Sequence, residues 1–460
     1  MSWSLLQNSL LVSGAATALA VGIGLASALW LAGLDSGWRN RLMVLAGIAL
    51  ALPPFVVTNC WLDLLGTTGR WRAWLPWNIY SLGGAAWILA LLTWPIPLLL
   101  VLAAWRRVEP AQLESDPALC GWPLIRFLLW PAARPAIGQA AVLTFVLTLN
   151  NFAVPAILQV KVLPAEVWVR FSTDLQPLAA LAAGWPLIVG PGLLLLLLRR
   201  ADLTWPHEQG PAGATAWRRQ LGAGWRAFGA VATLLSLLLS VGLPLVQLLG
   251  SFRTWAELPN LLRAIPGVIG TSFTYAAVTA TVCVAVGLGS WRLRLGQVLW
   301  LPLLVPGVLL GIALIALFNR PGFEPFYRSS GIVVLALAIR YLALGWNGVA
   351  QAMRTCDRDL ADAARLEGAA GWMLFRHVRW PQIAPAVGAA WYVTYLLCLW
   401  DVETVVLIYP PGGETLALRV FNLLHYGHTA QVNAAALVLV ALAVAPGAVW
   451  RVARLPVRVK

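Results

Sequence analysis

One segment of this chain occurs twice. Residues 121–140 and 371–390 align without a gap, and ten of the twenty positions are identical. Gly121-Trp122, Leu124, Arg126, Trp130-Pro131, Pro135-Ala136, Gly138 and Ala140 return as Gly371-Trp372, Leu374, Arg376, Trp380-Pro381, Pro385-Ala386, Gly388 and Ala390. In a chain this rich in Leu and Ala, chance gives roughly two matches, so the pattern reads as an internal duplication. Each copy sets Arg, Trp and two prolines between long apolar runs. That is the pattern of an extramembrane element repeated within a membrane protein, and it points to transport.

Composition supports a membrane location. The 460 residues are 60% hydrophobic and 11% charged, with a mean hydropathy of +0.78. A soluble domain needs more polar surface than this, and the apolar runs are long enough to cross a bilayer. The formal charge of +14 raises the question of nucleic acid. The basic residues, however, sit at the ends of apolar runs rather than in one patch, so they are read as orienting the spans and no nucleic acid is expected.

Apolar length predicts spans at 10–34, 42–62, 79–104, 137–160, 178–198, 228–249, 267–290, 297–317, 330–350, 386–408 and 431–450. This is an all-α polytopic membrane protein of about eleven transmembrane helices. With both repeated loops in the cytoplasm, 22 of the 32 basic residues fall inside, nine outside and one, Arg340, within a span. The asymmetry supports that orientation, with the N-terminus outside and the C-terminus cytoplasmic. Two five-helix repeats, parallel in the membrane, are then joined by one extra helix. The expected domains are a first repeat at 1–200 with a cytoplasmic loop at 105–136, a linker and connecting helix at 201–262, and a second repeat at 263–460 with a loop at 351–385. Asn8-Ser9-Leu10 and Thr271-Ser272-Phe273 open the repeats in parallel.

Other signals are weaker. The N-terminus lacks a basic leader region and its apolar run is long, so it reads as a retained span. The five cysteines, Cys60, Cys120, Cys283, Cys356 and Cys398, show no paired spacing, and neither a disulfide framework nor a zinc site is expected. Many of the 26 tryptophans lie near span ends, as in an interfacial belt. His425 and His428 are spaced for one helix face, but two histidines in an outer loop read as ordinary polar surface, and no metal is expected.

Chemistry is most legible in the second repeated loop. Asp359 to Gly368 reads as a short helix with Asp359 at its N-cap, Asp362 in the first turn and Gly368 as a left-handed stop. A second short helix from about Trp372 is expected to end at Pro381. Two short helices meeting at small residues make a compact knob that another protein can approach closely.

These residues resemble the EAA loop of permease subunits of binding-protein-dependent ABC importers. The loop is Glu-Ala-Ala with Gly six residues after the Glu and Pro further on. Here it is Asp362-Ala363-Ala364, Gly368 and Pro381, with Asp in place of Glu. Gly371 and Arg376 belong to the same loop. The first copy is more degenerate: Gln112-Leu113-Glu114 takes the Glu-Ala-Ala positions, with a shifted alternative at Glu114-Ser115-Asp116, and Gly121, Arg126 and Pro131 follow. Pro410-Pro411-Gly412-Gly413 and His425-Tyr426-Gly427 extend the resemblance toward the fused two-repeat permeases of ferric-iron and thiamine importers, which usually have twelve spans.

The resemblance implies a type I ABC importer permease fold in a bacterial inner membrane. It implies two copies of a cytoplasmic ABC ATPase carrying ATP and Mg, and a periplasmic solute-binding protein. The chain has no GxxxxGK[ST] loop of its own and no catalytic residue, so it is read as a conduit and not an enzyme. The expected solute is ferric iron, with thiamine, polyamines and oxyanions open. A secondary transporter or channel with parallel repeats is the alternative, and a non-transporting scaffold a third reading. Arg126 and Arg376 stand at equivalent positions, either to pair with acidic groups on the ATPase or to satisfy the positive-inside rule.

Ionisable residues within spans are costly and therefore suggestive. Asn150, Asn151, Asp401 and Glu403 are expected to line the pathway or its outer gate, or else to sit hydrated at a span end. The 250-residue offset sets Asn151 opposite Asp401. Arg340 is deeper and either snorkels or pairs with an acidic group.

Overall fold

The computed structural model describes residues 3–106, 108, 113, 119–198, 214–293, 295, 298–425 and 429–453. Among the described residues the chain is helical, with no strand. The helices are α1 (Trp3–Ala32), α2 (Ser36–Ala51), α3 (Pro54–Leu65), α4 (Leu82–Thr93), α5 (Pro95–Trp105), α6 (Trp122–Leu149), α7 (Ala153–Ile157), α8 (Leu163–Asp174), α9 (Pro177–Ala183), α10 (Pro186–Leu198), α11 (Ala214–Gly250) and α12 (Phe252–Ala264). There follow α13 (Pro266–Ser290), α14 (Trp300–Leu304), α15 (Gly307–Phe318), α16 (Glu324–Tyr327), α17 (Ser330–Arg354), α18 (Arg358–Leu366), α19 (Gly371–Trp400), α20 (Leu416–His425) and α21 (Thr429–Ala453).

Seven of the described helices are long and apolar enough to cross a membrane, or nine if each of two bent pairs is one span. The chain is thus a multi-pass α-helical membrane protein. The count falls short of the expected eleven because proline cuts several apolar runs. Pro53 and Pro54 separate α2 from α3 at 84°, and Trp94-Pro95 bends α4 against α5 by 44°. The runs at 178–198 and 297–317 are interrupted before Pro186 and at Pro306 into pieces shorter than a span. Proline lacks an N–H and its ring collides with the carbonyl one turn back, so an unbroken apolar run is not an unbroken helix.

The duplicated segment adopts the same local structure in both places. Gly121 (φ 63°) and Gly371 (φ 51°) open α6 and α19 in the left-handed region. Each helix then widens into one π-helical turn, Ile125–Leu129 and Phe375–Arg379. The turn closes by the Trp130 N–H donating to the Ile125 carbonyl and the Trp380 N–H donating to the Phe375 carbonyl. Pro131 and Pro381 follow directly, and the carbonyls their rings would strike, on Phe127 and His377, lie inside the widened turns. Pro381 therefore does not end a helix as expected; α19 runs through it to Trp400. Ser9 and Ser272 also match: each buried hydroxyl accepts the first amide of a later helix, Leu163 N–H at 2.8 Å and Leu416 N–H at 2.7 Å.

Two compact units are present. The first comprises Met1–Glu166 and Val189–Thr254, and the second Val167–Ile188 and Trp255–Lys460. In the first, Val12, Ala16, Val57, Trp61, Ile79, Leu89 and Val154 form a core shared by α1, α3, α4 and α7. In the second, Val284, Val349, Ile383 and Val387 join α13, α17 and α19. Small residues allow the close approach there: a Cβ on Gly345 would lie 2.7 Å from Cys283 Cβ, and one on Gly348 would lie 2.5 Å from Ala390 Cβ.

Candidate functional site

The knob between α17 and α19 is built from its N-cap outward. Asp357, not Asp359, is the cap: its carboxylate accepts the Asp359 N–H at 2.9 Å and the Leu360 N–H at 3.3 Å. Asp357 precedes a helix that starts at Arg358, so Asp362 falls in the second turn rather than the first and pairs with Arg365 on the outer face. Gly368 closes the helix at φ 87°, where a side chain would be strained although space is open, and the Ala369 N–H bonds back to the Ala364 carbonyl at 2.9 Å. Ala361 is buried, Ala364 half-buried, and Asp362, Ala363, Gly371, Arg376 and Pro381 are exposed. Gln382 fixes the knob to α19, accepting the Asp357 N–H at 2.9 Å while donating to the Val378 carbonyl at 2.9 Å. A lone Gln after Pro381 carries no sequence signal for that role.

The outer surface of this knob sets large apolar side chains among charged ones. Leu366 is 90% exposed and Trp372 70%, with Leu360 and Met373 also exposed. Leu360 and Leu366 stand on the short capped helix, and Trp372 and Met373 in the first turn of α19.

The first copy is described at Leu113 and from residue 119 onward; Gln112 and Glu114 lie outside the described residues. Arg126 and Pro131 are exposed, as are Arg376 and Pro381. Arg126 lies over the Phe127 ring at 5.4 Å.

The intramembrane polar residues converge in the second unit. After α19 ends, Asp401 accepts the Thr404 N–H at 2.7 Å through one oxygen, and through the other the Thr404 hydroxyl at 2.9 Å and the Tyr341 hydroxyl at 2.7 Å. Arg340 donates to Glu403 at 2.7 Å and to Thr404 Oγ1 at 2.7 Å, and lies 3.3 Å from Asp401. Asp401 is thus the second acidic partner of Arg340, whose side chain is 11% exposed and pairs inside the protein rather than snorkelling. Asp401 and Glu403 are turned into the packing between helices rather than hydrated at a span end.

Gly307, at the start of α15, makes the cluster possible. A Cβ there would overlap the Arg340 guanidinium and lie 2.6 Å from Thr404 Oγ1. Neither Gly307 nor Tyr341 was singled out by sequence; the Asp-x-x-Thr spacing of Asp401 and Thr404, a local capping pattern, was the available clue. In the first unit Asn150 is buried, and the Asn151 amide oxygen accepts the Val154 N–H at 3.0 Å. His425 ends α20 with its side chain undescribed, and His428 lies outside the described residues.

No family model matches the chain. It is 28% identical over 148 residues to the candidate 2-aminoethylphosphonate transport system permease protein PhnV of Salmonella paratyphi A, a match covering 32% of this chain and 56% of PhnV. It is 27% identical over 208 residues to the putrescine transport system permease protein PotI of Escherichia coli, covering 42% of this chain and 74% of PotI. To the spermidine/putrescine transport system permease protein PotC of Haemophilus influenzae it is 26% identical over 178 residues, covering 37% and 68%. The chain spans little more than half the length of PhnV. The resemblance to permease subunits of binding-protein-dependent ABC importers holds.

Proposed function

We propose that this chain is the transmembrane permease subunit of an ATP-driven importer in a bacterial inner membrane, forming the solute pathway and taking its conformational drive from cytoplasmic ATPase subunits. The observation that carries the reading is the knob at 357–381: a capped short helix bearing Asp362-Ala363-Ala364, a left-handed Gly368, and exposed apolar side chains, set between two spans. Relatives named as transport system permeases support it. Two copies of the ATPase, each bringing ATP and Mg, engage the two repeated loops, and a solute-binding protein delivers cargo from the other side. The N-terminus is outside and the C-terminus cytoplasmic.

The relatives' named solutes, 2-aminoethylphosphonate, putrescine and spermidine, all carry amines, and they move the substrate expectation from ferric iron to a small amine-bearing organic solute. Co-purification of the tagged chain with its ATPase tests the reading. Wild type retains the ATPase, and Leu366→Asp and Gly368→Arg lose it. Absence of the ATPase from the wild-type preparation, or its retention by both variants, overturns the proposal and favours a secondary transporter.

A further inference from the structure

The connecting helix does more than bridge the repeats. Gly222 in α11 has φ 79° and ψ 166°, which divides it into a leading segment from Ala214 to Leu221 and a long segment running on to Gly250. The leading segment lies on the first repeated loop. The Gln220 carbonyl accepts the Gly121 N–H at 2.8 Å, and the buried Gln220 side-chain amide donates to the Leu113 carbonyl. Just past the kink, Trp225 stacks on Trp122 with ring centroids 5.8 Å apart.

The same segment is anchored to the helices beneath. Trp217 packs on Trp105 at 5.7 Å, donates its indole N–H to the Leu29 carbonyl at 3.0 Å, and leaves no room for a Cβ on Gly33. Arg218 pairs with Asp35 at 2.8 Å. Beyond the kink, Gly229 brings α11 against α1, where a Cβ would lie 2.5 Å from the Ala26 carbonyl oxygen. Loop, strap, α1 and α5 therefore form one cross-braced body within the first unit.

The second copy has the same opening glycine and the same π-helical turn but a different set of ties. Trp372 stacks on Phe375 of its own helix at 5.5 Å and is 70% exposed. The hydrogen bonds described for its knob run to α19 through Gln382, and Phe375 and Cys356 pack on the core of Val284, Val349 and Ile383, with no strap segment laid over Trp372 among the described residues.

We propose that Ala214–Trp225 is an intramolecular strap that holds the first loop in one position through the transport cycle, so that the second loop is the moving arm. The inference rests on the proposed ATPase coupling for its purpose, while the strap itself is read without it. Amide exchange on the full chain in lipid nanodiscs, alone and with its ATPase and a non-hydrolysable ATP analogue, separates the two.

In wild type, peptides covering 119–129 keep the same protection with and without nucleotide, whereas peptides covering 358–379 change. In Gln220→Leu and in Trp225→Leu, made separately in case one fails to fold, exchange at 119–129 rises about tenfold, as expected for loosening one hydrogen bond and one aromatic pair. It also becomes nucleotide-dependent, and Trp225→Phe restores protection. Unchanged exchange at 119–129 in both leucine variants, or a nucleotide response there in wild type, overturns the strap. Failure of the ATPase to bind wild type overturns the coupling instead and leaves the variants' exchange without nucleotide to report on the strap.

Discussion

The breaks that follow α6 and α19 set Asn151 and Asp401 250 residues apart and share one side-chain bond, yet they are finished differently. In the first unit Asn151 accepts the N–H of Val154, three residues on, at 3.0 Å. In the second, Asp401 accepts the N–H of Thr404, also three residues on, at 2.7 Å. The turn itself needs only a short side chain with an acceptor oxygen, and an amide serves as well as a carboxylate. What the second unit adds is Arg340, reaching from mid-span to Asp401, Glu403 and Thr404. The positions 250 residues earlier than Arg340, Glu403 and Thr404 are Ala90, Ala153 and Val154, all buried and uncharged. Charge at the second break thus fastens a broken helix to its neighbour, where the equivalent positions of the first hold Ala90, Ala153 and Val154.

The two breaks should therefore respond unequally to substitution. Arg340→Leu leaves two carboxylates buried without their cation and should destabilise the protein by about 3–5 kcal/mol. The check is a thermal melt in detergent followed by tryptophan fluorescence. Replacing Arg340, Asp401 and Glu403 together with leucine should recover most of the loss, because removing the whole ionic set removes its desolvation cost as well. An Arg340→Leu melt no lower than wild type would break the comparison. Gly307→Val comes next, at about 1–3 kcal/mol from overpacking against the guanidinium and Thr404. Asn151→Ala should cost about 1 kcal/mol, the worth of one capping bond.

These contrasts also separate what was legible in the sequence from what was not. The duplication, the matched openings at Ser9 and Ser272, and the knob with Gly368 as its stop were readable, because each rests on a local pattern or a fixed offset. The continuity of α19 through Pro381 was not, since the π-helical turn that absorbs the proline depends on backbone geometry rather than on residue type. The partners of Arg340 lie 61 and 63 residues away in a different helix connection. Nothing periodic links them, and Gly307 signals its role only by the space it leaves. The strap from Ala214 was hidden for the same reason: Gln220 and Trp225 are ordinary amphipathic-helix residues until their contacts with the first loop are seen.

The smallest expected effect on stability falls at the residue with the largest expected effect on coupling. The Asp362–Arg365 pair has side chains 62% and 52% exposed, and such pairs contribute about 0–1 kcal/mol. The helix that carries Asp362 is capped by Asp357, so Asp362→Asn removes no structural bond beyond that exposed pair. Its melt should therefore stay within about 0.5 kcal/mol of wild type. Asp357→Ala, by contrast, should loosen the knob by about 1 kcal/mol. Measured in one preparation, ATPase retention and ATP-driven uptake should fall in Asp362→Asn while the melt holds. If both functions persist at wild-type levels, the acidic side chain is only a partner for Arg365, and the contact face of the knob is carried by Leu360, Leu366 and Trp372 alone.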